Sequence, residues 1–97
     1  MAQARAVDAR ERDMFVEMDE AALREDPVWR HYLGKMGSQL EFTAPEVAGV
    51  LGKYTTDDVY RFADSGEIRG LNVGTGAKRC LRVPRECLKR FLAKHMV

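Results

Sequence analysis

Cysteine is scarce in this chain of 97 residues: there are two, Cys80 and Cys87. Two thiols do not make a disulfide framework, and a reducing compartment keeps them free. Six residues separate them, where zinc sites favour tight pairs such as C-x₂₋₄-C, and no second pair exists. Histidine is limited to His31 and His95, with no ligand partner at helical spacing. No paired carboxylates and no nucleophile–base arrangement stand out. The expectation is therefore a non-enzymatic protein with no metal and no cofactor. No apolar run approaches the ~20 residues of a membrane span. The first 13 residues are charged throughout and lack the apolar stretch of a signal peptide. These absences point to a cytoplasmic protein that makes no membrane contact.

Acidic residues are scarce at one end. Residues 68–97 hold eight Lys/Arg and one acidic residue, Glu86, whereas residues 1–41 hold six Lys/Arg and nine Asp/Glu. The net charge of +1 conceals this segregation. A local basic field draws polyanions to the surface and speeds their encounter.

Glycine and proline are absent from residues 4–25, which are rich in Ala, Arg, Glu and Met and read as a helix. Asp26-Pro27 starts a second helix, with Asp as N-cap, Pro in the first turn and Gly34 as its end. Residues 35–39 read as a linker. Denser signals follow. Phe42-Thr43-Ala44-Pro45-Glu46-Val47 combines a Thr43 cap, a Glu46 capping-box residue and a Phe42 staple onto Val47, and Gly52 closes that helix. The device recurs at Tyr54-Thr55-Thr56-Asp57-Asp58-Val59, whose helix runs to about Ser65 and stops at Gly66. Two short capped helices joined by a glycine-containing turn are a helix-turn-helix signature. Residues 68–73 and 78–83 read as strands joined by a turn at Gly74-Thr75-Gly76-Ala77, with Leu71, Val73, Leu81 and Val83 facing inward and glycines supplying positive φ. Pro84 opens a closing helix with Cys87, Leu88, Phe91 and Leu92 inside and Arg85, Lys89, Arg90 and Lys94 outside.

Three runs resemble a known family. They are residues 42–52, the segment Val59-Tyr60-Arg61 with Asp64-Ser65-Gly66-Glu67-Ile68, and residues 79–86. Over about 55 residues they are similar, in order and spacing, to excisionase-like and MerR-like winged helix-turn-helix proteins. Two departures stand out: the turn at residues 52–55 is one residue longer, and Asp57 and Asp58 stand where the family often has basic or neutral residues. The resemblance implies a mainly α fold with a small β-hairpin as wing. A winged helix-turn-helix domain spans residues 40–97, and a helical N-terminal arm spans residues 1–38. It also implies double-stranded DNA as partner, with the second helix in the major groove and the wing on the backbone. The role is then regulation of transcription or of site-specific recombination.

The residues read as contacting DNA are Thr56, Tyr60 and Arg61 on the second helix and Lys78, Arg79 and Arg82 on the wing. Arg61 can read guanine bidentately, hold a phosphate, or pair with Asp57 or Asp64 at helical spacing. Asp58 closes a capping box, while Asp57 either favours the helix dipole or accepts from a cytosine amino group. The arm can pack in cis, form a homodimer or dock a partner protein. The alternative for the whole chain is an adaptor that keeps the fold without touching DNA.

Overall fold

The computed structural model describes residues 19–75 and 78–96. It is mainly helical, with a small three-stranded antiparallel sheet. In chain order the elements are α1 (Glu20–Leu23), α2 (Pro27–Met36), β1 (Glu41–Thr43), α3 (Ala44–Leu51), α4 (Thr56–Asp64), β2 (Leu71–Asn72), β3 (Leu81–Pro84) and α5 (Arg85–His95).

Local chemistry explains where the helices begin. The Asp26 carboxylate accepts from the Val28 and Trp29 amides at 2.8 and 3.4 Å, which starts α2 with Pro27 in its first turn. Full capping boxes open both α3 and α4. At Thr43 the backbone N–H donates to Glu46 Oε1 at 2.8 Å and the hydroxyl accepts from the Glu46 amide at 3.4 Å. At Thr55 the corresponding bonds to Asp58 are 2.9 and 3.2 Å. Each box satisfies amides that a helix start otherwise leaves without partners. Gly52 ends α3 in the left-handed conformation, φ 79°.

Several expectations are corrected. The helix expected over residues 4–25 lies largely outside the described residues. The part that is described, α1, has its own N-cap at Asp19 and ends at Leu23. Helix α2 runs through Gly34 to Met36 and stops at Gly37, whose φ of 58° suits glycine. Residues 41–43 form a strand. Phe42 is therefore a sheet residue, paired with Val83 on the central strand β3 and buried with it. The hairpin is shorter than expected. Its ladder pairs Leu71 with Arg82 and Asn72 with Leu81, and the Val73 amide extends it to the Cys80 carbonyl at 2.9 Å.

Leu81 and Val83 point inward, but Leu71 and Val73 are exposed at 65% and 49%. β2 is an edge strand, and its register sets Leu71 opposite Arg82, on the outward face of β3, with Val73 two positions on along the same face. Gly74 is demanded by close approach, since a Cβ there would collide with the Lys78 carbonyl. Its φ is not positive, and Gly76 lies outside the described residues.

One hydrophobic cluster joins the elements. Leu23, Trp29, Leu33 and Met36 from α1 and α2 pack with Phe42, Val47, Val50, Val59, Ile68, Leu81, Val83, Leu88 and Phe91. Arg85 and Lys89 also belong inside rather than on the solvated face of α5, with relative exposures of 7% and 2%. Their charges survive burial because α1 covers them with a carboxylate. Glu20 accepts from Arg85 at 2.7 Å twice and from Lys89 at 3.2 Å. Lys89 also meets Glu86 at 2.8 Å, and Arg85 donates to the Gln39 carbonyl at 2.7 Å. Buried charges persist when paired and hydrogen-bonded in this way.

Candidate nucleic-acid interface

Helix α4 is the most amphipathic of the short helices. Val59 is fully buried, and Phe62 and Ala63 are half-buried against the core. The opposite side carries Asp57, Arg61 and Asp64, all exposed. Thr56, its first residue, is half-buried. Tyr54 meets the Phe62 ring edge-on, with centroids 5.0 Å apart, and so anchors the turn entering α4.

The hairpin is fastened to α4 through Arg79. Its guanidinium makes two bonds to the Asp64 carboxylate, Nη2–Oδ1 at 2.7 Å and Nη1–Oδ2 at 3.2 Å. The same guanidinium lies over the Tyr60 ring, 4.4 Å from its centroid. Tyr60 in turn donates its hydroxyl to the Arg79 carbonyl at 3.2 Å. Tyr60 is thus half-buried and engaged with the hairpin, rather than standing free on the outer face of α4. Within the hairpin, the Asn72 side chain accepts from the amides of Gly74 and Cys80 at 3.1 and 3.0 Å, which braces the approach to the turn.

Of the six residues expected to contact DNA, the structure brings Tyr60 and Arg79 into direct contact across the α4–hairpin junction. Arg61 remains on the exposed side of α4, where it pairs with Asp58 and not with Asp57 or Asp64 as expected. Arg82 projects from the exposed side of β3, with Glu41 of β1 3.7 Å away. Lys78 is exposed and makes no ion pair among the described residues. The pairings that the sequence does not reveal are those of Asp64 with Arg79 and of Glu41 with Arg82. Asp64 and Glu41 lie 15 and 41 positions from their arginines, beyond the reach of a helical-spacing argument.

The electrostatics follow from these contacts. The Thr55 backbone N–H, assisted by Arg61, holds the Asp58 carboxyl below the ordinary aspartate range. Asp64 is lowered by its bond from Arg79, and Arg79 is raised by the same bond. All stay charged at neutral pH. Three arginines therefore present guanidinium groups that are each shared with a carboxylate, whereas Lys78 has no carboxylate partner among the described residues.

Cys80 and Cys87 are free and half-buried. No group of three or more His, Cys, Asp or Glu among the described residues could hold a metal ion, and no helix among them is long and apolar enough to cross a membrane. No known protein family, curated protein or solved structure matches the chain.

Proposed function

We propose that residues 40–97 form a winged helix-turn-helix that binds double-stranded DNA and serves as a regulator of transcription or of site-specific recombination. The observation that carries this reading is the junction of α4 with the hairpin. A short exposed helix, preceded by a capped partner helix and a tight turn, sits beside a basic hairpin fastened to it by Arg79. An α-helix with its side chains is about 10–12 Å across, which suits a major groove about 12 Å wide. In this reading Arg61 faces the groove from the exposed side of α4, Thr56 and Tyr60 reach DNA only through their exposed portions, and Lys78, Arg79 and Arg82 follow the backbone. Phosphate contacts of that kind set register, and base-edge contacts set sequence preference.

A second reading, the protein-interaction adaptor, is favoured by one observation: Arg61, Arg79 and Arg82 all have carboxylate partners already. A salt series separates the two. Binding of a fluorescent random duplex is followed by anisotropy from low to moderate salt. A DNA-binding protein shows measurable affinity at low salt that falls linearly in log–log form. An adaptor shows none.

A further inference from the structure

We infer that Asp64 and Glu41 are specificity-determining residues. Each holds an arginine against a protein carboxylate so that Arg79 and Arg82 do not clamp indiscriminately onto phosphate. This inference rests on the DNA-binding reading. It deepens that reading by assigning acidic residues a part in the same surface.

The argument starts from pairing. Among the six residues expected to meet DNA, each of the three arginines has a carboxylate within ion-pair distance: Arg61 with Asp58, Arg79 with Asp64 and Arg82 with Glu41. Two of the three pairs join separate elements. Asp64 ends α4 and Arg79 lies on the returning arm of the hairpin; Glu41 is on β1 and Arg82 on β3. Helical spacing therefore does not create them. Asp58 has a capping role that accounts for its presence. Asp64 and Glu41 cap nothing in their own elements.

Exposure comes next. The side chains of Arg79 and Asp64 are 44% and 62% exposed, and those of Arg82 and Glu41 are 44% and 56% exposed. Ion pairs this open to water contribute little to stability and are readily exchanged. A guanidinium that leaves such a carboxylate for a phosphate releases a counterion from the DNA. The carboxylate it abandons then stands as an uncompensated negative charge beside the phosphates. Its repulsion offsets part of the electrostatic gain that powers non-specific binding. Sequence preference rests on Arg61 of α4, whose base-edge contact does not pass through either of these two pairs. The carboxylates thus weaken the sequence-independent component more than the sequence-dependent one. Lys78, with no such partner among the described residues, is left to make ordinary backbone contact.

The test compares carboxylate removal at the pairs with the same charge change elsewhere. Full-length protein is prepared as wild type, Asp64→Asn, Glu41→Gln and the control Glu25→Gln, an exposed residue of the segment between α1 and α2. Binding to a random-sequence duplex is measured across a salt series, and denaturation midpoints confirm folding. Asp64→Asn and Glu41→Gln are each expected to bind at least threefold more tightly than Glu25→Gln at low salt. Their log–log slopes should steepen by up to ~0.9 for one released arginine. Should both bind no better than Glu25→Gln while wild type binds DNA, the inference is overturned and the DNA reading stands. If no protein binds at low salt, the DNA reading itself falls, and the inference with it. Because Glu41 lies on a different element from Asp64, loosening of the hairpin in Asp64→Asn does not decide the outcome alone.

Discussion

Arg85 grips Glu20 with two hydrogen bonds of 2.7 Å, Nε to Oε2 and Nη2 to Oε1, across 65 residues of chain. The fork-to-fork geometry is the strongest arrangement open to an arginine and a carboxylate. Lys89 shares the same carboxylate at 3.2 Å and is itself 2% exposed. One acidic side chain of α1 therefore compensates two buried cations of α5, and it ties the N-terminal segment to the element that closes the core.

Removing that carboxylate leaves the buried Arg85 without its ion-pair partner and Lys89 with Glu86 alone. Glu20→Gln is expected to lower unfolding free energy by roughly 3 kcal/mol, the typical consequence of breaking a buried pair on one side. Glu25→Gln, on an exposed residue nearby, should change it by less than about 0.5 kcal/mol. Urea denaturation of the two variants beside wild type checks the difference; equal midpoints would show that the Glu20 cluster carries no stability.

Acid should expose the same cluster. Arg85 foremost, with help from Lys89 and against partial burial, holds the Glu20 carboxyl down to about 2 from its ordinary 4.5. A folded-state pKa below the unfolded one gives stability that is fully present above about pH 4.5 and is lost as pH falls toward 2. Wild type is expected to lose roughly 3 kcal/mol from this group across that window. Glu20→Gln lacks the group, so its stability curve should be flatter between pH 4.5 and 2. Parallel curves for the two proteins would remove Glu20 as the source.

Thr43→Ala and Thr55→Ala each delete the acceptor of a capping box that the structure displays in full. Each should destabilise the fold by ~1 kcal/mol. Thr56→Ala, one position into α4, is the control, since its hydroxyl caps nothing. Unchanged midpoints for both cap variants would contradict a stabilising role for the boxes.

Lys78 and Arg61 should differ in what their loss does to DNA binding. Lys78→Ala is expected to weaken binding about equally for every duplex and to flatten the salt slope by ~0.9, because phosphates are alike at every base pair. Arg61→Ala should in addition alter which sequences are preferred, a bidentate guanine contact being worth ~1–3 kcal/mol of discrimination. Selection from a randomised duplex pool, followed by affinity measurements at several salt concentrations, distinguishes the two effects. Retention of the wild-type slope by Lys78→Ala would mean that Lys78 does not touch the backbone.

The capping boxes at Thr43 and Thr55, the stop at Gly52, the Asp26-Pro27 helix start and the place of the hairpin were all legible in the sequence. Each depends on residues three or four apart, or on a turn, so local order is enough to specify it. The basic C-terminal third was equally plain, since charge composition needs no geometry. What the tertiary structure alone decided involves partners far apart in the chain. β1 has three residues, too few for a periodic pattern, and exists as a strand because β3 pairs with it. Arg85 and Lys89 read as solvated cations on the outer side of α5 until Glu20, 65 and 69 residues away, is folded over them. Arg79 and Arg82 read as bare charges until Asp64 and Glu41 arrive from other elements. Burial and ion pairing depend on distance in space, and a side chain's neighbours across elements are set only when the core closes.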